Sequence, residues 1–232
     1  WQRNQRIEYG NPENPNEKEL YFDLRTLNYT LHWLLPTMRE WHTTIGANGM
    51  RQQNKNLGEE LLIPAYRLFD LGVFAQTQRY FKRGTLSGGF RYDYRHLESD
   101  EAFEGTEQKF VALKKNFTNV SASLGYSWEL DSALTLKFNV ARGFRAPAIA
   151  ELASNGTHEG TNRYEYGTSS LLSERSWQYD LGFELSYDHL QIGLSAFHNN
   201  INNFIFYQKL QGSNGLDSLI DVDGELLQTF QF

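Results

Sequence analysis

Long runs of period-2 alternation, joined by connections that are short and long in turn, constrain this chain more than any other feature. From Asn116 to Leu130, Val120, Ala122, Leu124, Tyr126, Trp128 and Leu130 share one parity. Ser121, Ser123, Gly125, Ser127 and Glu129 hold the other. Leu134, Leu136, Phe138 and Val140 alternate with Thr135, Lys137, Asn139 and Ala141, and Trp177 to Tyr187 repeats the pattern. Helical spacing fits none of these runs, whereas a strand with one apolar face fits all of them. Strands are expected near 18–34, 39–52, 66–81, 84–97, 116–130, 132–144, 174–187 and 189–208, with partial ones at each end. Short connections fall at Leu35–Arg39, Phe81–Gly84, Glu129–Ala133 and Tyr187–His189. Long ones fall at Asn11–Lys18, Gln53–Pro64, Glu98–Lys115, Arg145–Glu174 and Gln211–Gly224. Strict alternation of this kind belongs to an antiparallel up-and-down sheet with tight turns at one end and excursions at the other.

Each face of such a sheet needs a solvent. Strands of about 14 residues exceed the usual strand, and a tilted membrane strand of about 9–11 residues extended beyond the bilayer accommodates them. The apolar parity then meets lipid. The polar parity, with Arg91, Asp93, Arg95, Lys137, Asp180 and Glu184, meets a wet or plugged lumen, where these residues are expected to bond one another or a plug. Trp33, Trp41, Tyr80, Phe81, Trp128 and Tyr187 sit beside the short turns, as an interfacial aromatic girdle requires. The apolar parity switches between Leu24 and Leu27, and a bulge is the expected cause. From Leu190 the alternation decays into Asn199–Asn203, where a strand leaves the apolar layer. A mean hydropathy of −0.58 suggests a soluble protein only if the two parities are averaged.

Composition mainly excludes. No cysteine means no disulfide framework, thiolate metal site or cysteine nucleophile. Twenty-two basic against 28 acidic residues, net −6, argue against a nucleic-acid surface. The chain starts at Trp1 with no Met, charged n-region or apolar h-region, so a signal peptide is absent, removed or outside this sequence, and both ends, including Leu226–Phe232, read as cuts through strands.

The longest connection carries the most specific signal. A strand ending Gly143-Phe144-Arg145-Ala146-Pro147, followed by Glu151-Leu152 and a loop of small residues, resembles the barrel of TonB-dependent outer-membrane receptors. In that family an Asn-Pro-x-Leu-x-x-Glu-x-Ser stretch then enters the next strand. Leu171 to Ser176 matches its second half, with Thr168-Ser169 in place of Asn-Pro. The hairpin ending Ala196 to Ile205 also looks like that family. The resemblance implies an all-β, antiparallel, up-and-down transmembrane β-barrel in the Gram-negative outer membrane. It has short periplasmic turns, long extracellular loops and roughly 22 strands. This chain holds about ten of them. Residues 1–232 are then a partial barrel domain, with the plug domain absent from this chain. The implied partners are outer-membrane lipids, the receptor's own plug, the TonB complex acting through that plug, and a transported small-molecule or metal ligand. No resident cofactor is implied; a metal, haem or metal-siderophore enters as cargo.

Several metal- and haem-uptake members carry a histidine between the two motifs, and His158 occupies such a position. With Glu159 it offers an imidazole and a carboxylate, half a zinc site or an axial haem ligand. A lone histidine in a polar loop is otherwise solvated, and two ligands fall short of the three or four zinc takes. Arg145, Arg163, Tyr164 and Tyr166 are candidates to meet an anionic or aromatic ligand; their plain alternative is loop packing. His198 shares the lipid parity of Leu194 and Ala196. No nucleophile elbow, His-Glu-x-x-His, phosphate-cradling loop or clustered His-Asp pair occurs, so no enzyme is expected. Ser195 and His198 lie on opposite faces of one strand and cannot act together. Two other readings remain open at this point. One is a self-contained small barrel acting as enzyme or adhesin, to which the aromatic Phe232 end lends support. The other is a soluble β-sandwich binding module.

Overall fold

A computed structural model describes residues 1–9, 18, 20–158, 161–222 and 224–232. In chain order, β1 (Gln2–Glu8), β2 (Leu20–Leu34), β3 (Trp41–Asn56), β4 (Tyr66–Phe81) and β5 (Gly84–Ser99) come first. A small hairpin of β6 (Ala102–Glu104) and β7 (Glu107–Phe110) follows, then β8 (Leu113–Glu129) and β9 (Leu134–Arg145). Helix α1 (Ile149–Ala153), β10 (Asn155–His158) and β11 (Arg163–Tyr166) occupy the longest connection before β12 (Glu174–Tyr187) and β13 (Leu190–Asn202). The chain finishes with β14 (Gln208–Lys209), β15 (Leu219–Val222) and β16 (Glu225–Gln231).

Nine strands form one sheet in the order β1-β2-β3-β4-β5-β8-β9-β12-β13, every pair antiparallel. We call this sheet the wall. Its expected strands are present, and β8 starts earlier and β13 stops earlier than the alternation suggested. Residues directly opposite across a ladder share a face. Leu24, Asn54, Tyr66, Ser99 and Leu113 are one such row. The buried Ile149 and Leu152 of α1 pack with Tyr66, Leu68 and Leu97, and Leu24, Met50 and Phe117 close the cluster. This is the inner face. The other face carries Leu31, Trp33, Leu124 and Leu194, each more than half exposed, together with Phe90, Phe138 and Leu181. Among the described residues no protein covers this face, and lipid is the solvent that suits it. No second sheet packs on it among the described residues, which removes the β-sandwich reading.

Three expectations need correction. First, no bulge interrupts β2. Its register with β3 runs unbroken from Phe22 opposite Asn56 to Leu34 opposite Thr44. The parity switch is a change of surroundings. Leu27, Tyr29, Leu31 and Trp33 face outward, where lipid lies. Nearer the long connections, Leu24 turns its apolar side to the α1 cluster, and Asp23 and Arg25 face out. Second, Leu226–Phe232 is not a wall strand. β16 pairs parallel with β11 and antiparallel with β14 and β15, in a separate sheet ordered β10-β11-β16-β14. β13 delivers the chain to the long-connection side, and β11 offers the free edge that β16 takes. The wall therefore has nine strands rather than ten, and the aromatic end gives no support to a self-contained barrel. Third, Tyr80 does not join the girdle. It lies opposite Thr85 on the inner face and accepts a hydrogen bond from Gln78, with His42 edge-on at 5.4 Å. Trp33, Trp41, Phe81, Trp128 and Tyr187 do face outward.

The short turns have local causes. Asp131 Oδ1 accepts the Ala133 and Leu134 N–H groups, both at 2.8 Å, closing β8 onto β9. Asn11–Lys18 lies almost wholly outside the described residues. The other long connections lie mostly within the described residues, and together we call them the crown.

Candidate functional site

The inner face is polar and internally paired. Arg95 grips Asp70 with two bonds of 2.8 Å, from Nε to Oδ1 and from Nη2 to Oδ2. Arg91 holds Asp93, Lys137 holds Glu184, and Asn139 donates to Asp180 at 2.9 Å. The luminal charges therefore bond one another, as the alternation led us to expect. A cleft of about 480 Å³ opens among Asn28, Asn48, Asp70, Arg91, Arg95 and Asn119 and reaches Arg145 and Ala146 beneath the crown. This cleft has no sequence signature beyond the polar parity itself.

Arg145 ends β9 on that face and is fully engaged. Its Nε and Nη2 bond Glu174 Oε2 and Oε1 at 2.9 and 2.8 Å. Its Nη1 bonds both oxygens of Glu151 at 2.7 and 2.8 Å. Glu151 also accepts the Ala148 N–H at 2.7 Å, anchoring the start of α1. Glu174 also accepts the Ile205 N–H at 2.7 Å, tying down the segment after β13. One guanidinium thus knots together the ends of β9 and β12, the helix, and the chain leaving β13. The bond from Arg145 holds the Glu174 carboxyl below its ordinary range, aided by the Ile205 N–H and opposed by burial. The bond to Glu174 likewise raises Arg145. Sequence reasoning picked Arg145 and missed its partners, although both are glutamates of the motifs that carry the resemblance.

The other crown candidates separate. On β11, Arg163 and Tyr164 necessarily point to opposite sides. Arg163 Nε bonds the buried Glu165 at 2.7 Å, and its guanidinium lies 4.3 Å from the Tyr207 ring centroid and 5.4 Å from that of Phe230. Burial works against its charge, and the bonds to Tyr207 and Glu165 outweigh it. Tyr164 packs against Tyr166, ring centroids 5.0 Å apart, and donates to Asn155 Oδ1 at 3.0 Å. Burial pushes its hydroxyl up to about 12, with Tyr166, Glu104, Glu107 and Glu60 adding to the effect. Burial raises Tyr166 as well. Tyr164 lines a second cleft of about 420 Å³ with Glu60, Glu104, Glu107, Thr157 and Asp221.

His158 ends β10, half-buried and directly opposite Arg163. Its Nδ1 lies 3.2 Å from Thr161 Oγ1. Glu159 lies outside the described residues. Among the described residues no three His, Cys, Asp or Glu side chains come together in a metal-holding group. His198 faces outward on β13, stacked on Tyr179 with ring centroids 6.4 Å apart.

Comparison with known proteins agrees with this architecture. Residues 2–231 match the family described as TonB dependent receptor-like, beta-barrel. A ferric enterobactin receptor of Pseudomonas aeruginosa is 30% identical over 149 residues, covering 60% of this chain and 17% of that protein. Among solved structures, the Serratia marcescens hemophore receptor HasR, with its hemophore HasA and heme, superposes with a TM-score of 0.67 at 19% identity. The match covers 83% of this chain and 35% of that one. A mutant ferric enterobactin receptor of P. aeruginosa in complex with enterobactin gives 0.62 at 22% identity, covering 99% and 35%. These two likenesses carry the fold alone, and the chain spans about a third of each solved chain. The chain belongs to the TonB-dependent receptor family, as β-barrel wall and crown of an outer-membrane receptor.

Proposed function

We propose that this chain is part of an active-transport receptor that takes up a scarce metal-bearing ligand, a ferric siderophore first, with haem or a metal ion as the other cargo classes. The observation that carries this reading is the pairing of a polar, ion-paired lumen with an ordered crown above it. A receptor needs both: a wet path along the inner face of the wall and a folded surface that meets the ligand first. The siderophore leads because the ferric enterobactin receptor shares 30% identity over the aligned region. The family is one of receptors, not enzymes. In this reading residues 1–232 form a partial barrel domain. The remainder of the receptor supplies further strands and a plug, and TonB acts through that plug.

Ligand contact falls to the crown. His158 and Glu159 offer an imidazole and a carboxylate, with the Arg163 cation on the side that His158 faces, and the phenols of Tyr164 and Tyr166 serve contact on the other side of β11. Arg145 holds the crown in place and touches ligand only at the mouth of the luminal cleft. In the full-length receptor, His158→Ala is expected to abolish retention of the iron-loaded ligand while heat-modifiable migration of the barrel stays unchanged. Full retention by that variant removes His158 from the site. Failure of iron-starved cells expressing the receptor to accumulate ferric siderophore, haem or free metal removes the uptake reading itself.

A further inference from the structure

The outer surface of β1–β4 carries a basic cluster just beyond the apolar band. Arg25 and Arg67 both lie directly opposite Gln53, one on each side. Arg51 is two residues from Gln53 on the same face of β3, nearer the short-turn end. Three guanidinium-bearing residues therefore surround Gln53, with Cα spacings of about 5–8 Å between neighbours and diagonals. Arg3 extends the row, opposite Arg25, and Lys55 stands beyond Gln53, opposite Asp23.

The cluster is held open rather than neutralised. Asp23 is only 3% exposed and lies beneath Arg3 and Arg25, which it bonds at 2.6 and 3.1 Å. It orients two cations while both stay nearly half exposed. Arg67 bonds the exposed Asp100 at 3.0 Å and faces Glu98 on β5. Arg51 and Lys55 are exposed and make no hydrogen bond or ion pair among the described residues. Five cations meet three carboxylates here, in a chain whose net charge is −6. On the same face toward the short turns follow Leu27, Leu31, Phe69, Leu71 and Val73, all exposed.

From this juxtaposition, cations on the outward face immediately above exposed apolar side chains, we propose a seat for a phosphorylated lipid of the outer leaflet. Its phosphate sits among Arg25, Arg51 and Arg67, and its acyl chains lie along Leu27, Phe69 and Leu71. Charge complementarity selects this occupant. Arginine presents a planar fork that suits phosphate, and a basic or neutral partner has nothing here to pair with. The lipid class is fixed by position: the cluster lies on the crown side of the band, so it meets the leaflet that the long loops cross.

The test uses the full-length receptor in detergent and two probes: lipid A, a bis-phosphorylated acylated disaccharide, and its dephosphorylated form. Native mass spectrometry reads the retained lipid. The expected result is selective retention of the phosphorylated form. Each cation near such a surface contributes about a fivefold effect on binding. Arg51→Gln is thus expected to weaken retention about fivefold, and Arg25→Gln/Arg51→Gln/Arg67→Gln about a hundredfold. Lys137→Gln on the inner face leaves retention unchanged. Equal retention of the two lipids, a triple variant that binds like wild type, or inorganic phosphate binding as tightly as the lipid overturns the proposal. If the triple variant does not assemble, Arg51→Gln decides alone, because Arg51 has no bond to lose among the described residues.

Discussion

Wall and crown are built from the same chain by different rules. The wall repeats one local instruction, apolar out and polar in, across nine strands, and each strand satisfies its neighbour in unbroken register. The crown has no such period. Its order rests on a few long-range bonds, above all Arg145 to Glu151 and Glu174, and on β16 reaching β11. The wall is thus redundant and the crown is not. A lost side chain is expected to leave the wall standing unless it blocks strand approach, whereas one lost cation loosens the whole crown.

The largest expected effect lies at a wall position where strand approach is the issue. A Cβ on Gly49 would sit 2.0 Å from the Asp70 carbonyl oxygen and 2.5 Å from the Tyr29 hydroxyl. The carbonyl is backbone and cannot move aside without breaking the β3–β4 ladder. Gly49→Val is expected to destabilise by about 3 kcal/mol or more and to abolish heat-modifiable folded barrel on gels. Wild-type mobility would show that the strands can part there at little cost.

Next comes the knot. Arg145→Ala leaves two carboxylates facing each other with no cation between them. A loss of about 2 kcal/mol is expected, confined to the crown, since charge-assisted bonds contribute about 1.5–3 kcal/mol and Arg145 is partly exposed. Limited proteolysis should then cut between β9 and β12 while the wall stays resistant. Equal resistance in both regions would erase the distinction between them. A pH series refines the same point. The folded-state pKa of Glu174 is depressed, so its contribution is present above the ordinary carboxylate range and is lost as pH falls through the folded value. The crown is expected to hold from neutral pH down to the carboxylate range and to loosen only in stronger acid. Glu174→Gln should flatten that acid limb.

The smallest effect belongs to the paired charges of the inner wall. Lys137 and Glu184 are each about half exposed, so a double-mutant cycle between them should give less than about 1 kcal/mol. A coupling of several kcal/mol would mean that the lumen there excludes water.

What the sequence made legible follows the same division. Alternation in Val120–Trp128 or Trp177–Tyr187 exposes its face directly, because the information sits in neighbouring residues. The parity switch in β2 was visible and its cause was not: a bulge and a change of solvent leave the same trace until the register with β3 is known. Arg145 stood out as a motif residue, yet its partners lie 6 and 29 positions away and only the folded loop joins them. Arg163 and Tyr164 stand side by side in the sequence, although the strand period separates consecutive residues onto opposite faces. The parallel pairing of β16 with β11 had no local trace at all.

The central claim is that the apolar parity of the wall faces lipid and the polar parity faces a wet lumen. The absence of cysteine in this segment makes it directly testable. Single cysteines at each position from Val120 to Trp128, spin-labelled in the full-length receptor in lipid vesicles, report accessibility to oxygen and to a water-soluble nickel chelate. Oxygen accessibility should peak at 120, 122, 124, 126 and 128, and nickel accessibility at 121, 123, 125 and 127. Two profiles that rise and fall together, or that exchange phase, would contradict the account.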